Sequence, residues 1–231
     1  KFTEGAYRPS VEDVDRLKGE GLWNNDWEAS REMVYRHYEG MGRSRDDLNL
    51  DYQELVAFFQ SRYRGPDPHH WTGYICHEPL LMEATYLDQL TKAGIPWGFF
   101  SGATRGSASY VLEKRLGLQT PVLVAMEDAP GKPDPTGLFD VIRLLEERHS
   151  LSADIPVIYA GDTVADMQTV IQARKQYPSR SWIGVGILPP HAQTPFEYAE
   201  AYAEKLRQAG SSIVLGNIEQ LHPNQILSLI V

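Results

Sequence analysis

The sequence predicts an α/β protein: a doubly wound parallel sheet preceded by a small all-helical domain. Three observations lead there. Residues 10–64 carry helical apolar spacing with no β-rich run. From residue 95 onward, five short and strongly apolar runs alternate with helical patterns, the alternation expected of parallel strands covered on both faces. Between the two lies Gly65-Pro-Asp-Pro-His-His70, whose prolines remove backbone donors and favour extended or turn geometry. The expected domains are therefore residues 1–68, helical, and residues 69–231, built on the sheet.

In chain order, Ser10 followed by Asp13 resembles a capping box, and Val11, Val14 and Leu17 then recur at helical spacing. A second helix is expected from Asp26 to Tyr38. Tyr52, Leu55, Val56 and Phe59 fall at i, i+3, i+4 and i+7, so a third helix buries one face there. In the second domain the apolar runs are residues 95–101, 121–126, 155–160, 182–188 and 212–215, with Pro156 tolerable at the start of its run. Leu138, Val141, Ile142 and Leu145 mark a helix entered through Asp134-Pro135, and Gly94 and Gly117 sit where helices end.

A chain of 231 residues suffices for a core of about 150 residues and a smaller companion. The formal charge of -9 argues against a nonspecific nucleic-acid binder, so an anionic small molecule would need local positive charge. Cys76 is the only cysteine, which excludes an intrachain disulfide and gives no sign of an oxidising compartment. No run of about 18 apolar residues occurs, and residues 1–10 lack a secretory pattern. The expectation is a cytoplasmic protein without membrane or nucleic-acid partners; no pattern specifies its oligomeric state.

In doubly wound folds the reactive groups collect at the carboxyl ends of the strands. Three ends are informative. The run closing on Trp97-Gly-Phe-Phe100 is followed by Ser101-Gly-Ala-Thr104, where a hydroxyl and backbone N–H groups can hold phosphate oxygens; alone, Ser101 also reads as a helix cap. After residues 122–126 a proline-flanked loop presents Lys132, a phosphate-facing ammonium or a solvated loop lysine. The third run ends in Gly161-Asp162-Thr-Val-Ala-Asp166, two carboxylates that can share a face toward Mg²⁺, with Asp162 alternatively an N-cap. His69, His70 and His77 lie in a loop without a partner cluster.

A strand ending in Ser, then Lys-Pro-Asp-Pro, then Gly-Asp-x-x-x-Asp, in that order, resembles the second, third and fourth motifs of haloacid dehalogenase superfamily phosphatases. The helical domain resembles the small cap of subfamily IA. The resemblance implies a Mg²⁺-dependent hydrolase of a small phosphorylated metabolite. It implies that Ser101 and the Gly102 N–H bind the phosphate and that Lys132 neutralises nucleophile and phosphoryl group. It further implies that Asp162 ligates Mg²⁺, while Asp166 helps through a water or orients Lys132. Leu22-Trp-Asn-Asn-Asp-Trp27 resembles a segment of a cyanobacterial and archaeal branch of the superfamily; Asn24 and Asn25 would reach substrate there, or Asn25 would cap a helix. Arg105 either contacts a second anionic group or is a solvated helix-start residue.

The resemblance also requires an Asp-x-Asp-Gly nucleophile motif at the end of a central strand. Asp13-Val-Asp15 has the spacing but follows a capping signal and continues into Arg16, so it reads as a solvated helix face. The expectation is that some tens of residues before Lys1 supply that strand, the nucleophile and the general acid–base aspartate. Two competing readings stay open: a metal-free dehalogenase, which the pair Asp162 and Asp166 opposes, and a noncatalytic binding protein on the same fold.

Overall fold

The computed structural model describes residues 1–230. It divides into two compact units, Lys1–Pro79 and Leu80–Val231.

The first unit contains α1 (Val11–Lys18), α2 (Asp26–Gly40) and α3 (Tyr52–Tyr63). The expected capping box is present: the Ser10 hydroxyl accepts from the Asp13 N–H at 3.2 Å, and the Asp13 carboxylate accepts from the Ser10 N–H at 3.0 Å. Leu17, Ala29 and Met33 form the unit's core, flanked by Tyr7, Val14 and Trp23. Asp15 departs from expectation. It is buried rather than solvated.

A ladder of charges crosses the same helices. Glu32, buried on α2, accepts from Arg36 at 2.8 Å and pairs with Arg45 at 3.3 Å, while Arg36 also bridges to Glu20 and Arg45 to Glu39. The helical unit extends past the expected boundary at residue 68. After the proline-rich break the chain returns to the end of α3, where the Thr72 and Gly73 N–H groups both donate to the Arg64 carbonyl at 2.9 Å. Gly73 packs so closely on the Tyr63 and Arg62 carbonyls that a Cβ would overlap them, and Ile75 is fully buried. These contacts tie residues 69–79 to the helices.

The second unit runs α4 (Ala84–Lys92), β1 (Phe99–Phe100), α5 (Arg105–Ser109, continued by a π-helical turn Tyr110–Arg115), β2 (Leu123–Val124), α6 (Thr136–His149), β3 (Val157–Gly161), α7 (Val164–Gln176), β4 (Trp182–Ile187), α8 (Phe196–Gln208), β5 (Ile213–Leu215) and α9 (Pro223–Ile230). Each of the five apolar runs holds one strand. Gly94 and Gly117, at φ of 71° and 80°, adopt the left-handed conformation that closes the preceding helices.

Every strand pair is parallel, but the sheet is in two pieces. β1 pairs with β2, with Phe99 opposite Leu123; β3, β4 and β5 pair in that order, with Val157 opposite Trp182 and Val185 opposite Ile213. Side chains alternate between layers as strand geometry requires. Leu123 joins Tyr86, Leu87, Leu90 and Leu112 on one side, whereas Val122 and Val124 meet Val141 of α6 on the other. In the second piece Val157 and Tyr159 face α6 and α7, and Ile158 and Ala160 face the cluster containing α9.

Helix α6 joins the pieces. Its Leu138 and Ile142 share a core cluster with Tyr159 and Phe100, and a Cβ on Gly137 would land inside the Phe100 ring. A glycine in the first turn of α6 thus lets β1 and β3 come near one another, although no backbone hydrogen bonds pair them as strands. Among the described residues, no helix is long and apolar enough to cross a membrane.

Candidate active site

The tips of β1, β2 and β3 meet around one ammonium group. Lys132, in the loop between β2 and α6, reaches the start of α7 and donates from Nζ to Asp166 Oδ1 at 2.7 Å. Both side chains are largely buried, at 10% and 4% exposure. Nζ also lies 5.1 Å from the ring centroid of Phe100, the residue before Ser101, and 5.5 Å from that of Tyr159. A cation over two ring faces gains from both quadrupoles once water is excluded.

Asp166 is saturated. Oδ1 accepts from Lys132 and from the Tyr159 hydroxyl at 3.0 Å; Oδ2 accepts from the Thr163 N–H at 3.1 Å and the Thr163 hydroxyl at 2.7 Å. A carboxylate offers about four lone-pair directions, and all are in use. The helix cap lies one residue beyond Asp162: Thr163 is the N-cap of α7, completing a capping box with Asp166. Gly161 is obligatory for this arrangement, because a Cβ there would overlap the Asp166 carboxylate.

Electrostatics follow the geometry. Burial alone would push the Asp166 carboxyl up, but the Lys132 charge and the hydrogen bonds from Lys132 and Thr163 hold it below the usual carboxylate range. Burial, the largest single influence, likewise opposes the Lys132 ammonium, but the Asp166 charge and hydrogen bond together with Tyr159 outweigh it and raise the group above its ordinary value. Tyr159 is raised by burial and then by the Asp166 charge. The triad holds a charged lysine, a charged aspartate and a neutral phenol.

The other expected site residues divide. Ser101 follows β1; its N–H donates to the Val124 carbonyl at 2.9 Å, and its hydroxyl accepts from the Ala103 N–H at 3.1 Å. Gly102 lies inside that turn. Asp162 is exposed at the tip of β3, its carbonyl accepting from the Tyr202 hydroxyl of α8 at 3.0 Å. The Arg105 guanidinium pairs with Asp128 and donates to the Leu123 carbonyl, and its backbone N–H donates to Glu127. Asn25 caps α2, its Oδ1 accepting from the Trp27 N–H at 2.9 Å; Asn24 lies beside it, half-buried in the helical unit.

Asp166, expected to help through a water or to orient Lys132, has four donors on its two oxygens, an arrangement that fits the orientation of Lys132. Among the described residues no group of three or more His, Cys, Asp or Glu side chains is placed to hold a metal ion. Mg²⁺ binds through as few as one or two carboxylates, with waters and substrate phosphate completing the octahedron, so the exposed Asp162 suits part of such a site.

Tyr159, Thr163 and Phe100 were not legible as site residues. Tyr159 and Phe100 lie inside apolar runs and read as core; the one available signal was a hydroxyl-bearing aromatic two residues before the Gly161-Asp162 turn.

No family model matches the chain. The solved structures of a phosphonoacetaldehyde hydrolase-like protein from Oleispira antarctica and a haloacid dehalogenase-like hydrolase from Bacteroides fragilis do. The first superposes with a TM-score of 0.66 at 16% identity, covering 98% of this chain and 82% of that one. The second gives 0.52 at 18% identity, covering 95% and 87%. The fold is haloacid dehalogenase-like. By sequence, the chain is 28% identical over 211 residues to a Phytophthora nicotianae protein named imidazoleglycerol-phosphate dehydratase. The match covers 88% of this chain and 42% of that protein, so the chain spans less than half the length of the curated relative it matches. In the haloacid dehalogenase-like fold, then, the Lys132–Asp166 pair stands at the carboxyl ends of the strands, where doubly wound sheets bind their ligands.

Proposed function

We propose that this chain is part of a Mg²⁺-dependent hydrolase of a small phosphomonoester, working through an aspartyl-phosphate intermediate. The observation that carries the reading is the meeting of Lys132 and Asp166, 34 positions apart in sequence, as a buried pair between Phe100 and Tyr159. Phosphoryl transfer asks mainly for placement and charge neutralisation, and an ammonium fixed by Asp166 between the Phe100 and Tyr159 rings is suited to both. Ser101 and the Gly102 N–H would hold phosphate oxygens, and Asp162 would be a Mg²⁺ ligand; bound Mg²⁺ would supply further positive charge to the phosphoryl group.

The nucleophilic carboxylate comes, in this reading, from a strand outside these 231 residues that adds to the unpaired edges of β1 and β3. Its oxygen attacks phosphorus, the ester P–O bond breaks with release of the alcohol, and water then opens the acyl phosphate to give inorganic phosphate. The substrate class draws support from the Phytophthora relative, whose name describes action on a phosphate ester. The likeness to a phosphonoacetaldehyde hydrolase-like protein adds phosphonoacetaldehyde to the compounds worth testing.

The test is a panel of phosphomonoesters and phosphonoacetaldehyde assayed with Mg²⁺ on the full-length gene product, with Asp162→Asn alongside. Phosphate release that chelator abolishes and Asp162→Asn lowers by about 10²-fold or more is expected, the scale of losing one charge-stabilising group. Turnover indifferent to both would overturn the assignment and favour the metal-free dehalogenase chemistry.

A further inference from the structure

We infer that Tyr159 is a positioning residue that fixes the Lys132 ammonium through the Asp166 carboxylate; the inference rests on Lys132 being the phosphate-facing group of the proposed function. Tyr159 touches both members of the pair by different parts of one side chain. Its hydroxyl donates to Asp166 Oδ1, the same oxygen that accepts from Lys132, and its ring lies 5.5 Å from Nζ. Thr163 holds the opposite carboxylate oxygen with two donors. The carboxylate is thus pinned at both ends, and the phenol supplies half of the restraint on the end that faces the lysine.

The restraint is needed because a lysine side chain has four freely rotating bonds and its ammonium is a point charge without a geometry of its own. Phe100 closes the other side of the ammonium at 5.1 Å but offers no hydrogen bond. Without the phenol hydroxyl, Oδ1 is held by the lysine alone, so that end of the carboxylate and the ammonium bound to it gain freedom even while Thr163 still holds Oδ2. A structural tyrosine, by contrast, would need only its ring, which packs with Leu138, Ile142, Val170 and Ala173. The two roles reside in different atoms.

Tyr159→Phe separates them, because it removes the hydroxyl and keeps the ring. The readout is the lysine ammonium signal in ¹⁵N–¹H NMR, assigned to Lys132 by its absence in Lys132→Met. Wild-type protein should show this signal in slow exchange with water, and Tyr159→Phe should accelerate the exchange about tenfold or more, the factor of one hydrogen bond to a charged group. Equal exchange rates in the two proteins would refute the inference.

Should Tyr159→Phe not fold, the wild-type Tyr159 hydroxyl proton decides, since a proton held by Asp166 exchanges slowly and one in rapid exchange contradicts the restraint. On the full-length protein the same substitution should lower kcat about tenfold with KM little changed. If no phosphomonoester is turned over even by the wild type, the proposed function fails, while the ammonium measurement still judges Tyr159.

Discussion

At the scale of single residues, the Lys132–Asp166 pair is expensive to disturb by halves. Removing one partner of a buried ion pair leaves the other charged and unsolvated, at about 3–5 kcal/mol. Lys132→Met and Asp166→Asn should each destabilise the protein by about that amount in urea unfolding, and the double variant should cost less than their sum by about 0.5–3 kcal/mol. Strict additivity would mean that the two groups do not interact in solution as the 2.7 Å contact requires. Ser101, Lys132, Asp162 and Asp166 were candidates because they follow strand ends, a place that sequence periodicity locates. Tyr159 and Thr163 could not, because their roles depend on which oxygen of Asp166 each one reaches. Asp166 was legible as an acidic residue of the site but not as a saturated one, since counting its donors needs three-dimensional placement.

At the scale of elements, local signals located the helices well where caps and glycines marked them. Ser10 and Asp13 begin α1, and Gly94 and Gly117 lie just past the ends they were expected to close. Strand lengths were less legible: the run at residues 95–101 yields only Phe99–Phe100, because pairing needs a neighbour and β1 has one on a single side. The limit of the helical unit was also missed, since the return of Thr72 and Gly73 to the Arg64 carbonyl leaves no periodic trace.

Charge patterning around α2 supports a pH prediction. Hydrogen bonds from Arg36 and from the Trp23 indole hold the Glu20 carboxyl down at about 2. A depressed carboxyl stabilises the fold above its unfolded value, about 4.3, and the contribution disappears as the pH falls through about 2. The Trp23 indole N–H resonance should therefore shift with a midpoint near 2 as acid is added. A midpoint in the ordinary glutamate range would show that the Arg36 bridge does not persist.

At the scale of the whole molecule, the divided sheet makes an asymmetry that hydrogen exchange can read. The N–H groups of Phe99 and Ser101 donate to β2 and the residue before it, and that of Val157 to the Ser181 carbonyl beside β4. By strand alternation, the amides of Phe100, Ile158 and Ala160 point toward the opposite, unpaired edges. Those three should exchange faster than their neighbours Phe99, Ser101, Val157 and Tyr159. Uniform protection along β1 and β3 would mean that both edges are covered in solution, and protection acquired only in a longer gene product would locate the added strand assumed in the proposed function. Both pieces of the sheet and their helical layers were legible as alternating apolar runs. The division was expected only through the resemblance, which calls for a central strand that these residues do not supply; the strands it leaves exposed carry no trace of it themselves.

The closeness of Gly161 to the Asp166 carboxylate also constrains how this sequence can drift. A side chain at position 161 fits only once position 166 has been shortened, and shortening position 166 strands the Lys132 charge. Positions 132, 161 and 166 therefore form one epistatic set: each looks tolerant or intolerant depending on the other two, and no single-step mutational path leads out of the combination without passing through a crippled protein.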